Sequence, residues 1–162
     1  MTPADPVAST RHGRVRGAAQ GGVARFLGVP YAAAPVGARR LRSPAAPDAW
    51  RGVRDARAPA AAALQKLGGS QTWLYDALPG TSEDCLTLNV WTPSLAGHAP
   101  VLVWFHGGAT RNGHGAAAAF DGTALARRGV VVVTVSYRLG ALGGLFPGVL
   151  AQRPPRLRAG RG

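Results

Sequence analysis

Residues 101–109 read VLVWFHGGA, and residues 130–139 read VVVVTVSYRL. Each stretch begins with an almost unbroken apolar run. A strand with one buried face alternates apolar and polar residues, whereas a continuous run is what a strand acquires when helices cover both faces of its sheet. Between the two runs, residues 123–128 suit a short helix, with Asp121 available as N-cap and Gly129 just past the end. The order strand, loop, helix, strand points to an α/β architecture.

Working outward, Leu86, Leu88 and Val90 alternate with Thr87 and Asn89. That is the period-2 pattern of a strand with one buried face, ended by Thr92 and Pro93. Residues 11–31 hold short β-favouring pieces around Val15 and at Val23, Phe26, Leu27 and Val29, spaced by glycines as small antiparallel strands are. Residues 32–63 are mostly Ala, Pro and Arg, with isolated anchors at Val36, Leu41, Trp50 and Val53. This predicts an irregular segment crossing a surface, or else a disordered linker. Residues 1–12 are expected to be disordered. Residues 146–162, rich in Arg, Pro and Gly, read as a disordered basic tail.

The chain has 162 residues, enough for one domain, and 23 glycines and 13 prolines promise many loops. The formal charge is +12, which invites a nucleic-acid reading. Against it, the arginines are scattered at Arg11, Arg25, Arg39, Arg51, Arg111 and Arg127 without interleaved aromatics to stack bases. Arginine accompanied by abundant alanine, glycine and proline is also what a GC-rich coding sequence supplies, so no specific nucleic-acid partner is expected. One cysteine, Cys85, excludes an intrachain disulfide and a multi-cysteine zinc site, and no metal or cofactor is expected. The first ten residues, MTPADPVAST, have no apolar core of a secretory signal, and the apolar runs fall far short of the ~18 residues of a spanning helix. A cytoplasmic chain without membrane association is the expectation.

The chemistry sits just after the first run. A glycine pair following a strand lets the backbone turn tightly and present bare N–H groups at the sheet's C-terminal edge. Such donors can hold the negative charge that a carbonyl oxygen acquires under nucleophilic attack, each contributing about 3 kcal/mol to lowering the barrier. The loop Asn112-Gly113-His114-Gly115 is glycine-rich but lacks the following Lys-Ser/Thr of a phosphate-binding loop. Glu83 and Asp84 are adjacent; on a strand they would face opposite ways and could not serve one substrate as an acid/base pair.

Three blocks carry a resemblance to a known family: FLGVPYA (residues 26–32) followed by Pro35-Val36-Gly37 and Arg40-Leu41, SEDCLTLNVWTP (residues 82–93), and VWFHGGA (residues 103–109) with VVTVSYRLGAL (residues 132–142). In order and separation they resemble the N-terminal portion of the type-B carboxylesterases, the para-nitrobenzyl-esterase-like and cholinesterase-related branch of the α/β-hydrolase fold. The likeness covers roughly residues 13–145. It implies a partial α/β-hydrolase sheet with a small N-terminal antiparallel β element, truncated before the nucleophile elbow. It also implies an oxyanion hole built from Gly107, Gly108 and Ala109, with N–H donors at Gly108 and Ala109, Gly107 permitting the turn and His106 bracing it. A structural ion pair between Glu83 and Arg40 follows from the same resemblance. Cys85, which in relatives often pairs with an upstream cysteine, should here be a buried free thiol. Thr110 stands where relatives usually carry an aromatic residue.

A G-x-S-x-G elbow, with an acid and a histidine after it, is what such an enzyme requires. The six serines are Ser9, Ser43, Ser70, Ser82, Ser94 and Ser136, and none lies in that motif. The nearest, in GGSQT (residues 68–72), lacks the second glycine, and Ser136 lies in V-S-Y-R. No catalytic residue is therefore assigned. The change of character after residue 143 suggests a frameshift or a truncated reading frame. The expected function is that of an esterase fragment, inactive alone, whose family substrate is a small-molecule carboxylic ester and whose partner would be a complementing C-terminal polypeptide. The alternatives are a non-catalytic interaction module and a basic nucleic-acid binder.

Overall fold

The computed structural model describes residues 5–66 and 78–144. The expected basic tail, the GGSQT segment and residues 1–4 lie outside the described residues. In chain order the strands are β1 (Val7–Ser9), β2 (Arg14–Arg16), β3 (Ala18–Gln20), β4 (Val23–Pro30), β5 (Val53–Asp55), β6 (Ala62–Ala63), β7 (Thr81–Ser82), β8 (Thr87–Thr92), β9 (Val101–Phe105) and β10 (Val131–Val135). Two short helices, α1 (Thr123–Ala126) and α2 (Gly140–Gly144), complete the set with 3-10 turns at Gly37–Arg39 and Ala118–Phe120.

The main sheet runs β3-β4-β8-β10-β9. Its β9–β10 pair is parallel, and the others are antiparallel. Because β9 and β10 run the same way, the chain must cross back between them, and it does so through the 3-10 turn and α1, as the strand, loop, helix, strand order anticipates. A smaller sheet, β1-β2-β5, packs beside β4, and β6 pairs with β7. This is a mixed, partial α/β sheet with a small N-terminal β element.

The expected disorder at the chain start does not extend over residues 7–9. They form β1, paired antiparallel with β2. A turn at Thr10–Gly13 closes this hairpin: the Thr10 N–H and hydroxyl both donate to Gly13 O, at 2.9 and 2.8 Å. Residues 32–63 are irregular, as expected, apart from the Gly37–Arg39 turn, β5 and β6. Around α1 the N-cap is Gly122 rather than Asp121. The Asp121 carboxylate instead accepts the Thr123 N–H at 2.8 Å, one residue outside the cap position, and Gly129 lies beyond the end at φ +90°.

The core has three parts. Val23, Leu27, Trp91, Ala126 and Val132 gather under α1. Val15, Phe26 and Ala56 fill the space between the two sheets. Ala32, Ala63, Cys85, Leu86 and Leu139 form the third. Strand β8 alternates, but in the opposite phase to the expected one: Thr87, Asn89 and Trp91 are buried, whereas Leu88 and Val90 are half-buried. Asn89, on the supposedly solvent-facing register, is 3% exposed. Both ends of its amide are engaged: Oδ1 accepts the Gly28 N–H at 3.0 Å and Nδ2 donates to Thr134 Oγ1 at 3.0 Å. The first bond serves the β-bulge in β4, where the register with β8 shifts between Phe26 and Val29.

Strand β9 also departs from expectation, in the opposite sense. All five of its side chains are exposed, between 41% and 64%. Among the described residues it is the edge strand, paired only with β10, and α1 packs mainly against β8 and β10. Trp104 has an aromatic neighbour, Phe120, with ring centroids 5.6 Å apart. The apolar run thus records a two-sided burial that the described residues do not supply.

Candidate functional site

The chain leaves β9 at Phe105 and enters the glycine pair. His106 is 3% exposed, and its ring stacks on Tyr137 with centroids 4.4 Å apart and planes 12° from parallel. The Tyr137 hydroxyl donates to His106 O at 2.5 Å, while His106 Nδ1 lies 2.8 Å from Gly107 O. Burial holds the imidazole pKa below its ordinary value, so the ring is neutral at pH 7. Packed in this way, it props the strand end.

Beyond it the backbone runs left-handed for three residues: Gly108 at φ +116°, Ala109 at +54° and Thr110 at +57°. Only glycine enters that region without a penalty, so two consecutive side-chain-bearing residues there mark a loop held by its surroundings. Its clamps are visible. Gly108 O accepts from the Arg111 and Asn112 N–H groups at 2.9 and 3.2 Å, and Thr110 O accepts from Gly140 N–H at 2.7 Å. A Cβ on Gly108 would meet Asn112 O at 1.9 Å, so no larger residue fits. The amide N–H groups of Gly108 and Ala109 have no acceptor among the described residues.

The next segment is fixed by residues that the sequence alone does not single out. Gln65 spans Gly113, its Oε1 accepting the N–H at 2.7 Å and its Nε2 donating to the carbonyl at 2.9 Å. Thr134 Oγ1 donates to Gly115 O at 2.6 Å, and Ser136 Oγ accepts the Gly115 N–H at 3.2 Å. Ser136 is therefore a buried brace. Tyr137 belongs to a quoted sequence block, yet its bond to the strand end could be seen only in three dimensions. Gln65 carried no sequence signal at all.

The structure brings Arg40 and Glu83 together in a two-pronged contact, Arg40 Nε to Glu83 Oε2 at 2.7 Å and Nη2 to Oε1 at 2.5 Å. The guanidinium holds the Glu83 carboxyl below its ordinary pKa. Asp84 points elsewhere and is exposed, its N–H donating to Ser82 Oγ at 3.0 Å. The two acids lie in the turn between β7 and β8 rather than on a strand, and they do not converge. Cys85 is a free, buried thiol, and burial raises its pKa to about 11. Burial likewise lifts Tyr31 to about 12, and its hydroxyl donates to Ser136 O at 3.0 Å. Among the described residues no helix is long and apolar enough to cross a membrane, and no group of three His, Cys, Asp or Glu side chains is placed to hold a metal ion.

Residues 4–148 match the model of the carboxylesterase family. The chain is 46% identical to fumonisin B1 esterase of Sphingopyxis macrogoltabida over 151 residues, 92% of this chain and 27% of that protein. It is 41% identical to para-nitrobenzyl esterase of Bacillus subtilis, over 85% of this chain and 28% of that one. A solved para-nitrobenzyl esterase superposes with a TM-score of 0.80 at 39% identity, covering 86% of this chain and 29% of the other. The chain thus spans little more than a quarter of the length of these curated relatives. With the motif blocks, the strand order and the loop after β9 all in agreement, the chain belongs to the carboxylesterase family.

Proposed function

We propose that this chain carries the oxyanion-stabilising part of a carboxylic ester hydrolase and has no hydrolytic activity by itself. One observation carries the reading: the N–H groups of Gly108 and Ala109 sit unengaged in a clamped, left-handed loop at the C-terminal end of β9. Donors fixed before the reaction need no reorganisation as charge develops on an acyl oxygen, and removing one such donor typically lowers kcat by about 100-fold to 1,000-fold. Gly107 allows the turn, and neutral His106, stacked on Tyr137, supports it without acting as a base.

The attacking hydroxyl would come from a complementing polypeptide with a G-x-S-x-G elbow, an acid and a histidine, and the substrate would be a small-molecule carboxylic ester. Glu83 and Arg40 serve this arrangement structurally, tying the 3-10 turn at Gly37–Arg39 to the turn before β8. A second reading, a non-catalytic interaction module, is favoured by the exposed apolar side chains of β9.

Assay of p-nitrophenyl butyrate hydrolysis separates these readings. The chain alone should give the buffer rate, and the chain co-expressed with such a polypeptide should give turnover. Gly108→Val in the assembled pair should lower kcat by about 100-fold while the two polypeptides still co-purify. Serine-dependent turnover by this chain alone, or full turnover by the Gly108→Val pair, would refute the proposal. Stable co-purification without turnover would leave the interaction module as the better account.

A further inference from the structure

The outer edge of β9 has a defined hydrogen-bonding pattern. Pro100 O accepts the Val131 N–H at 2.8 Å, so the carbonyl of Pro100 is turned toward β10. The N–H and C=O of one strand residue lie on the same side, and the sides alternate along the strand. Leu102 and Trp104 therefore also address β10, in keeping with the parallel register of the pair. The N–H and C=O groups of Val101, Val103 and Phe105 project from the other edge, where nothing pairs with them among the described residues.

Three donors and three acceptors spaced in this way are complementary to their own image. When an identical strand runs antiparallel with Val103 opposite Val103, Val101 faces Phe105 of the second copy and Phe105 faces its Val101. All three are hydrogen-bonded pairs that exchange both bonds, so every group on both edges is used. Residues directly opposite each other also share a face. Leu102 of each copy then lies against Trp104 of the other on one face, and the valines and phenylalanines line the other face. Burying the five exposed side chains of β9 in both copies removes on the order of 1,000 Å² from water, about what a specific interface needs.

Charge selects the same contact. A formal charge of +12 opposes contact between most surfaces of two copies. Residues 85–110, however, contain no Asp, Glu, Lys or Arg, so β9 and its flanks meet their own image without repulsion between like charges. The length of the contact is bounded as well. Pro100 has no N–H to offer, and beyond Phe105 the backbone turns left-handed at Gly108.

We propose that two copies of this chain pair through β9 as a symmetric antiparallel dimer centred on Val103, which joins their five-stranded sheets into one. Both copies use the same edge, so the contact closes at two and does not propagate. The inference concerns the chain by itself and does not rest on the reading of the loop after β9.

Sedimentation velocity of the intact chain should show a monomer–dimer equilibrium. Val103→Pro removes an N–H on the outer edge and no bond to β10, a position at which an edge strand tolerates proline. Its dimer dissociation constant should rise about tenfold or more, as expected for the loss of two hydrogen bonds. Because that variant could unfold, the register is also read by oxidation. Residues 102 and 104 of opposite copies form a non-hydrogen-bonded pair with Cα atoms about 4.5 Å apart, close enough for a disulfide. A mixture of Leu102→Cys and Trp104→Cys proteins should therefore give a linked dimer, and either protein oxidised alone should give about tenfold less. Cys85 is buried and does not compete. A monomeric parent would mean that other residues of the chain cover the edge, and a broad range of larger assemblies would mean association without register. Either result, unchanged dimerisation of folded Val103→Pro, or equal cross-linking of the single proteins and the mixture would overturn the proposal.

Discussion

Asn89 occupies a strand position that periodicity assigns to solvent, yet it is among the most buried polar residues described. The bulge in β4 leaves the Gly28 N–H without a ladder acceptor, and Asn89 Oδ1 takes that role. Asn89→Ala should therefore cost about 2 kcal/mol, the usual penalty for stranding a buried donor. The check is a lowered urea midpoint with an unchanged denaturant slope. Glu83 offers a pH test. In the unfolded chain its carboxyl titrates near 4.5, and Arg40 lowers that value on folding. The stability carried by the ionised form is thus complete above that pH and is lost as pH falls through the lowered folded value. Glu83→Gln should melt below the parent at pH 7, with the gap closing as the buffer is taken progressively below pH 4.5. A constant gap across that range would mean that the Arg40 contact contributes nothing through charge. Cys85, with its thiol pKa near 11 and its side chain 1% exposed, should alkylate far more slowly at pH 8 than a free thiol of ordinary pKa. Thiol titration with and without denaturant measures the difference.

At the scale of elements, β9 and β10 have nearly the same sequence character and opposite environments. Strand β10 is inserted between β8 and β9, and its Val132, Thr134 and Val135 are buried. Among the described residues, strand β9 presents one unpaired edge and five exposed apolar side chains, which is the template on which strands of other chains add. Val103→Lys, placed at the middle of β9, should raise the monomeric fraction of the isolated chain, as measured by sedimentation velocity. An unchanged distribution would show that association uses another surface. The elements around the loop were partly legible. The strand before the glycine pair, the short helix and the second apolar strand all lie where the sequence places them, because each is specified by local pattern. Asp121 missed its assigned cap position because a side-chain carboxylate can meet an N–H from more than one backbone register, and only the folded turn selects one.

Across the described residues, three small core clusters are joined by the five-stranded sheet, and the sheet is open at β9. A chain with that open edge should lack a sharp cooperative melt at monomeric mass when purified alone, and should acquire one when a complementing polypeptide covers β9. Calorimetry of both preparations, beside their sedimentation, compares the two. The sequence by itself determined the family, the strand–loop–helix–strand order and the glycine loop, because these depend on residue type, spacing and local backbone freedom. Only the tertiary structure decided that Asn89 is buried, that Tyr137 and Gln65 clamp the loop, that residues 7–9 pair as β1 and that no described residue covers β9. Burial and hydrogen-bond partnership belong to neighbours distant along the chain, and periodicity reports what environment a segment is suited to, not whether other residues provide it.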